Sequence, residues 1–158
     1  MADGFTLEVV TPERLLVDTT AGALVLRTSE GDMTVLDGHT SLIAAVVPGV
    51  VRVEPVEGDP LRLAVHGGFL QVDTAPADPG TKGGGLSTRV TLLAGIAERA
   101  EEIDVERARA AREAALARLA ESGSIREATE PTQGIEESPA AEELARAELR
   151  LEAAEAGG

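Results

Sequence analysis

The sequence predicts a mainly β N-terminal antiparallel β-sandwich of about ten strands, followed by a C-terminal α-helical hairpin. Three observations carry this expectation. In the first part of the chain apolar residues recur at every second position, as in Phe5-Thr6-Leu7-Glu8-Val9-Val10, which is the period of a half-buried strand. Turn signals interrupt these runs at close spacing, as they do in sandwiches and barrels. From Asp104 the apolar period changes to threes and fours, the period of a helix. The expected domains are a β-sandwich at 1–97 and a helical hairpin at 98–158.

The first strand covers residues 5–10, and Thr11-Pro12-Glu13 turns the chain. Residues 14–18 and 23–27 read as two short strands, with a turn at Ser29-Glu30-Gly31. Met33, Val35 and Leu36 are β-prone, Asp37-Gly38 is a turn, and 42–47 is a further apolar run. Pro48-Gly49 breaks the chain before a strand at 50–53 that runs on toward Val56. The loop Glu57-Gly58-Asp59-Pro60 leads into the clean alternation of 61–65, Gly67-Gly68 punctuates, and strands at 69–72 and 90–94 follow. Between these last two lies DTAPADPGTKGGGLSTR, residues 73–89, rich in Pro, Gly and small polar residues, which reads as a flexible loop.

Asp104 is an N-cap candidate for the first helix, whose stripe is Val105, Ala108, Ala111, Ala115 and Leu119. Ser122-Gly123-Ser124 is expected to stop it, leaving an irregular linker at 122–138. Ser138-Pro139 supplies an N-cap and a proline at the first helical position. Leu144, Ala147 and Leu151 mark one face of the second helix, which should end near Gly157-Gly158. Both stripes are narrow and mostly methyl-sized, so their burial yields little free energy.

Composition excludes several functions. Net charge is −14, with −8 of it from residue 98 onward (16 acids, 8 arginines) and −6 before it. Such a charge repels nucleic-acid phosphates and anionic lipid headgroups. The only aromatics are Phe5 and Phe69, too few for a base-stacking platform. There is no cysteine, which excludes disulfides and thiolate chemistry, and no apolar run long enough to span a bilayer. The first residues lack the features of a secretory signal or transit peptide.

No catalytic constellation stands out. His39 and His66 have no paired ligand spacing, so no metal site is expected. Ser41 lies near His39 without a nucleophile elbow or a third partner. Lys82-Gly83-Gly84-Gly85 is in the wrong order for a phosphate-binding loop. The arrangement fits an interaction protein better than an enzyme. On residues alone, a β-sandwich adaptor with a partner-binding helical tail and a small-ligand sensor both remain open.

Residues 31–53, GDMTVLDGHTSLIAAVVPGVVRV, resemble the epsilon subunit of the F-type ATP synthase through Gly31, Leu36, His39, Leu42, Pro48 and Gly49. Asp37 and Ser41 stand where that family usually has proline. Two further blocks resemble it in the same order: Gly67-Gly68-Phe69-Leu70-Gln71-Val72, and Val90-Thr91-Leu92-Leu93 with Glu98 to Asp104. The resemblance implies a non-catalytic central-stalk subunit of a proton-translocating complex. It implies as partners the gamma subunit, the membrane-embedded c-ring and, through the hairpin, the catalytic alpha/beta head. Contact with the membrane would be only through the complex, at the cytoplasmic face of a bacterial plasma membrane. Asp32 and His39 would lie in a loop on the c-ring side, and the hairpin could inhibit ATP hydrolysis when extended. The family joins the strands at 69–72 and 90–94 by a tight turn, so residues 73–89 are an insertion relative to it.

The resemblance implies no required cofactor, but it does imply a possible regulatory ATP. Ile103-Asp104-Val105-Glu106-Arg107-Ala108 matches the Ile/Leu-Asp-x-x-Arg-Ala motif with which some bacterial members bind ATP, and Glu98 occupies a ligand-contacting position. Arginine pairs naturally with phosphate. A further family arginine on the first helix is replaced here by Ala114, and the second helix offers Arg146 and Arg150.

Overall fold

A computed structural model describes residues 4–78, 85–126 and 138–156. The chain divides into two compact units, residues 1–100 and 101–158.

The first unit holds nine strands among the described residues: β1 (Phe5–Val10), β2 (Leu15–Thr28), β3 (Gly31–Leu36), β4 (Leu42–Val46), β5 (Gly49–Pro55), β6 (Leu61–Val65), β7 (Gly68–Pro76), β8 (Leu86–Ala94) and β9 (Ala97–Arg99). They join in the order β1-β8-β7-β4-β2-β5-β6-β9, with β3 on β2 and β1 also paired to β2. Because β1 bonds to both β8 and β2, the sheet closes back on itself as a sandwich. Alternation decides what goes inside. Phe5, Leu7 and Val9, then Leu24 and Leu26, Val51 and Val53, Leu63 and Val65, Leu70 and Val72, and Val90 and Leu92 are all buried. They form one core, with Met33, Leu42, Ala44, Leu61 and Ala97 packed against it. Each fully buried Leu or Val contributes on the order of 1.5–3 kcal/mol.

Three sequence expectations are corrected here. Residues 14–18 and 23–27 do not form two strands; from Leu15 onward they belong to β2, a single strand of 14 residues. Thr19-Thr20 keep it extended, and a register shift between Ala21 and Ala23 bends it at Gly22. Its first half thereby pairs with β1 and its second with β3 and β5. The merger removes one of the strands read from the sequence, and β9, which that reading did not include, brings the number among the described residues to nine. Second, the sheet is not wholly antiparallel, because β1 and β8 run parallel, Thr6 opposite Arg89 through Val10 opposite Leu93. Third, residues 73–89 are not a loop throughout. Asp73 pairs with Arg89, Thr74 with Thr88, Ala75 with Ser87 and Pro76 with Leu86, so both ends extend the β7–β8 hairpin. The Ala77 amide continues the ladder to the Gly85 carbonyl at 2.9 Å. Residues 79–84 of that stretch lie outside the described residues.

The second unit contains α1 (Val105–Arg126) and α2 (Pro139–Glu155), which pack on each other. Asp104 caps α1, its Oδ1 accepting the Arg107 amide at 3.0 Å. Ser138 caps α2, accepting the Ala141 amide at 3.2 Å, and Pro139 follows at the first helical position. The expected stop at Ser122-Gly123-Ser124 is corrected: α1 runs through it to Arg126. The Ser122 hydroxyl donates to the Arg118 carbonyl at 2.9 Å, a back-bond that keeps serine within a helix. The linker expected at 122–138 therefore begins later, and residues 127–137 lie outside the described residues. Gly157-Gly158 also lie outside them; α2 ends at Glu155.

The buried stripe of this unit is methyl-sized, as expected: Ala108 and Ala115 on α1, Ala147 and Ala153 on α2, plus Leu149. Ala111 is exposed instead of lining the stripe. Arg112 follows it and reaches across to Glu148, with Nε 3.5 Å from Oε1. Arg118 pairs with Glu143, and Arg109 Nη2 lies 3.9 Å from Glu155 Oε1. Rising α1 numbers meet falling α2 numbers, so the helices are antiparallel. Every cation of these pairs is on α1 and every anion on α2.

Candidate functional site

Two regions contain the residues that the sequence singled out. The first is the sandwich, where Asp32 lies at the start of β3 beside the β2–β3 turn and His39 lies beyond the other end of that strand. Asp32 is not in a loop, as expected, but on β3, directly opposite Arg27 of β2. The guanidinium meets the carboxylate with both arms, Nε to Oδ1 at 2.7 Å and Nη2 to Oδ2 at 3.4 Å. This hydrogen bond and the adjacent positive charge hold the Asp32 carboxyl below the usual carboxylate range. The turn behind the pair is tied by Thr28, whose hydroxyl donates to the Gly31 carbonyl at 2.9 Å and accepts the Glu30 amide at 3.2 Å.

His39 does lie in the loop between β3 and β4. Its Nδ1 is 2.9 Å from the Thr40 carbonyl, which only accepts, so in the neutral ring the proton sits on Nδ1. The loop leans on the extended hairpin. The Gly38 amide donates to Thr88 Oγ1 at 2.9 Å, and Thr74 Oγ1 donates to the His39 carbonyl at 2.6 Å. Ser41 Oγ accepts the Thr74 amide at 2.9 Å. Thr88 is buried at 3% exposure although polar. Sequence reasoning missed Thr74 and Thr88. The signal was present: Leu70, Val72 and Thr74 form one inward row, and Thr88, Val90 and Leu92 another, so the alternation continues into 73–89.

The second region is the motif. Ile103, Asp104, Arg107 and Ala108 lie in the second unit, and Glu98 lies on β9 of the first. Asp104 is engaged as a helix cap, Ala108 is buried at 2%, and the Arg107 side chain is exposed. Glu98 Oε2 is 3.9 Å from Nε2 of His66, a histidine side chain only 6% exposed. Arg99, next to Glu98, donates to the Leu16 carbonyl at 2.9 Å and ties β9 to β2. Among the described residues no group of three or more His, Asp or Glu side chains is arranged to hold a metal ion. No helix among them is long and apolar enough to cross a membrane.

The sandwich also carries an apolar outer row that the sequence reading passed over. Ala45 of β4 stands opposite Phe69 of β7, Phe69 opposite Leu93 of β8, and Leu93 opposite Val10 of β1. Phe69 is 59% exposed and Leu93 48%, and Ile43, two residues along β4 on the same face, is 76% exposed. A contiguous apolar face of this kind marks an interaction surface.

Comparisons with known proteins agree with both units. The β-sandwich domain of the ATP synthase delta/epsilon chain matches residues 4–77, and the long α-helix domain of that chain matches residues 101–155. An ATP synthase epsilon chain from Solibacter usitatus is 37% identical over 155 residues, 98% of this chain and 98% of the relative. One from Thermobifida fusca is 46% identical over 107 residues, 66% of this chain and 69% of the relative. Among solved structures, a chain of the Euglena gracilis mitochondrial ATP synthase OSCP/F1/c-ring assembly aligns with a TM-score of 0.60 and 25% identity, covering 97% of this chain and 78% of that one. Two matched domains in order, and a relative matched from end to end, leave one assignment: the chain belongs to the family of F-type ATP synthase epsilon subunits, non-catalytic members of that complex.

Proposed function

We propose that the chain works in the central stalk of a proton-translocating ATP synthase, turning with the gamma subunit and linking the c-ring to the catalytic head. The observation that carries this reading is the outer row Ala45-Phe69-Leu93-Val10 with Ile43 beside it. An aromatic anchor set among aliphatic neighbours on a flat sheet face suits a permanent protein partner, and the gamma subunit is the partner proposed for it. Of the two residues that the resemblance put on the c-ring side, Asp32 and His39, the strand pairing sets them at opposite ends of β3, and the end bearing Asp32 and the β2–β3 turn would face the c-ring. The complex would sit at the cytoplasmic face of a bacterial plasma membrane, with this chain reaching the lipid only through its partners. The hairpin would contact the alpha/beta head, and its extension would inhibit ATP hydrolysis. Its methyl-sized stripe supports that part of the reading, since weak packing lets two arrangements lie close in energy.

Replacing Phe69 by Asp in the full chain tests the row. Loss of co-purification with the gamma subunit, with the circular dichroism spectrum unchanged, is the expected result. Retained assembly would refute the proposed docking face. A regulatory ATP, bound by the segment of Asp104 and Arg107, belongs to the same proposal. The exposed Arg107 guanidinium supports it as a phosphate partner. Titration of the full chain with ATP should show saturable binding that Arg107→Ala abolishes, and no binding at millimolar ATP would refute it.

A further inference from the structure

We propose that the outer face of the sandwich takes a partner surface that is apolar along one line and carries an arginine or lysine at one end of it, seated between the carboxylates of Glu8 and Asp18. That this surface belongs to the gamma subunit rests on the function proposed above; its chemistry rests on the strand register and on charge.

The apolar row does not end at Val10. Val10 is paired with Leu15 of β2, which is 52% exposed, so the row crosses five strands from Ala45 to Leu15. Four steps of about 4.8 Å between strands give it a length of roughly 19 Å. The neighbouring rung has a different character. It runs Ile43, Gln71, Thr91, Glu8, Asp18, each directly opposite the next. Side chains two apart along a strand share a face, so this rung lies beside the row on the outside of the sandwich. On β2 the register shift at Val10 buries both Leu16 and Val17 and leaves Leu15 and Asp18 outward. The rung is therefore apolar at its Ile43 end and acidic at its β1–β2 end.

Glu8 and Asp18 are direct cross-strand partners. Like charges in that position repel and cost stability. Among the described residues neither carboxylate is in an ion pair. Arg89, the strand-borne cation nearest by register, stands a rung away, opposite Thr6 and Asp73. A cation brought by a partner turns the repulsion into two charge-assisted contacts. The apolar row beside them, covered by the same partner, keeps water away and strengthens both. The placement also gives the face a direction. A partner docked end for end would set its cation on Ile43, which is apolar and 76% exposed, and would lose both contacts. An acidic corner at one end of an apolar row thus selects one orientation of the partner along it.

The test uses the full-length chain with Glu8→Gln and Asp18→Asn, singly and together, which keep the shape and remove the charge. The urea midpoint of the free chain is measured, and so is affinity for an alpha–beta–gamma head that lacks its epsilon subunit. In the free chain either substitution relieves the repulsion, so the midpoint should rise. On the head the doubly substituted chain should bind about tenfold more weakly, and its affinity should fall less with added salt than that of the unaltered chain. Midpoints that do not rise overturn the unneutralised pair. Undiminished affinity of the double variant, with Phe69→Asp still weakened, overturns the cationic contact and leaves the docking face standing. If the unaltered chain does not bind the head, or Phe69→Asp binds it as tightly, the gamma reading fails and the cationic contact with it.

Discussion

Gly68 has no room for a side chain. A Cβ there would stand 2.0 Å from the Leu93 carbonyl oxygen and 3.0 Å from Ala94 Cα, both on β8. Gly68→Ala should therefore push β7 from β8 and cost about 1–3 kcal/mol, the range of an overpacked core. Urea denaturation of the two proteins measures it; equal midpoints would contradict the close approach. Asp32 offers a second test at this scale. Its carboxyl is held below the usual range by Arg27, so the pair stabilises the fold above the ordinary carboxylate range. That contribution is lost as pH falls through the depressed value, and the pair adds no pH dependence near neutrality. Arg27→Ala should return Asp32 to an ordinary titration, followed by NMR of its carboxyl carbon. An ordinary titration in the unaltered chain would contradict the bidentate geometry. Residues such as Phe5, Leu7 and Val9 were legible because alternation alone dictates their burial. Thr74 and Thr88 were not, because a Pro- and Gly-rich composition masked an alternation whose inward members are polar.

At the scale of elements, local chemistry was read well and continuation was read poorly. The caps Asp104 and Ser138 hold because a short oxygen-bearing side chain ahead of an apolar period has one natural use. The end of α1 was misplaced because Ser122 satisfies its hydroxyl within the helix, a possibility that propensity does not display. The two halves of β2 were separated because a bulge at Gly22 looks, in sequence, like a turn. Ala111 was placed on the inner stripe because alanine spacing cannot distinguish a buried face from an exposed one. What the stripe lacks, the three arginine–glutamate pairs between the helices supplement, each contributing about 0.2–1 kcal/mol when exposed. Raising salt from about 0.1 M to about 1 M shortens the screening length from ~10 Å to ~3 Å. Hydrogen exchange at Leu149 and Ala153 should accelerate accordingly. Rates independent of salt would show that the methyl contacts alone hold the hairpin.

At the scale of the whole molecule, a sandwich with an apolar outer row and a hairpin with a thin core divide two tasks. Under the proposed function the sandwich's row would keep its partner bound, while the thinly packed hairpin would be the part that changes arrangement. The two-unit organisation was legible because the apolar period changes once, near residue 104, and never changes back. The outer row was not legible, because Ile43, Phe69 and Leu93 look in sequence like ordinary strand residues until pairing places them side by side. If the hairpin inhibits, the catalytic head with gamma should hydrolyse ATP faster when rebuilt with a chain ending at Ile103 than with the full chain. Equal rates with both chains bound would remove the inhibitory role and leave the coupling role. The most direct measurement is proton-driven ATP synthesis by vesicles whose complex lacks its epsilon subunit, with and without this chain added back. The account predicts that the full chain restores synthesis and that Phe69→Asp does not. A chain that binds the complex yet leaves synthesis uncoupled would contradict it.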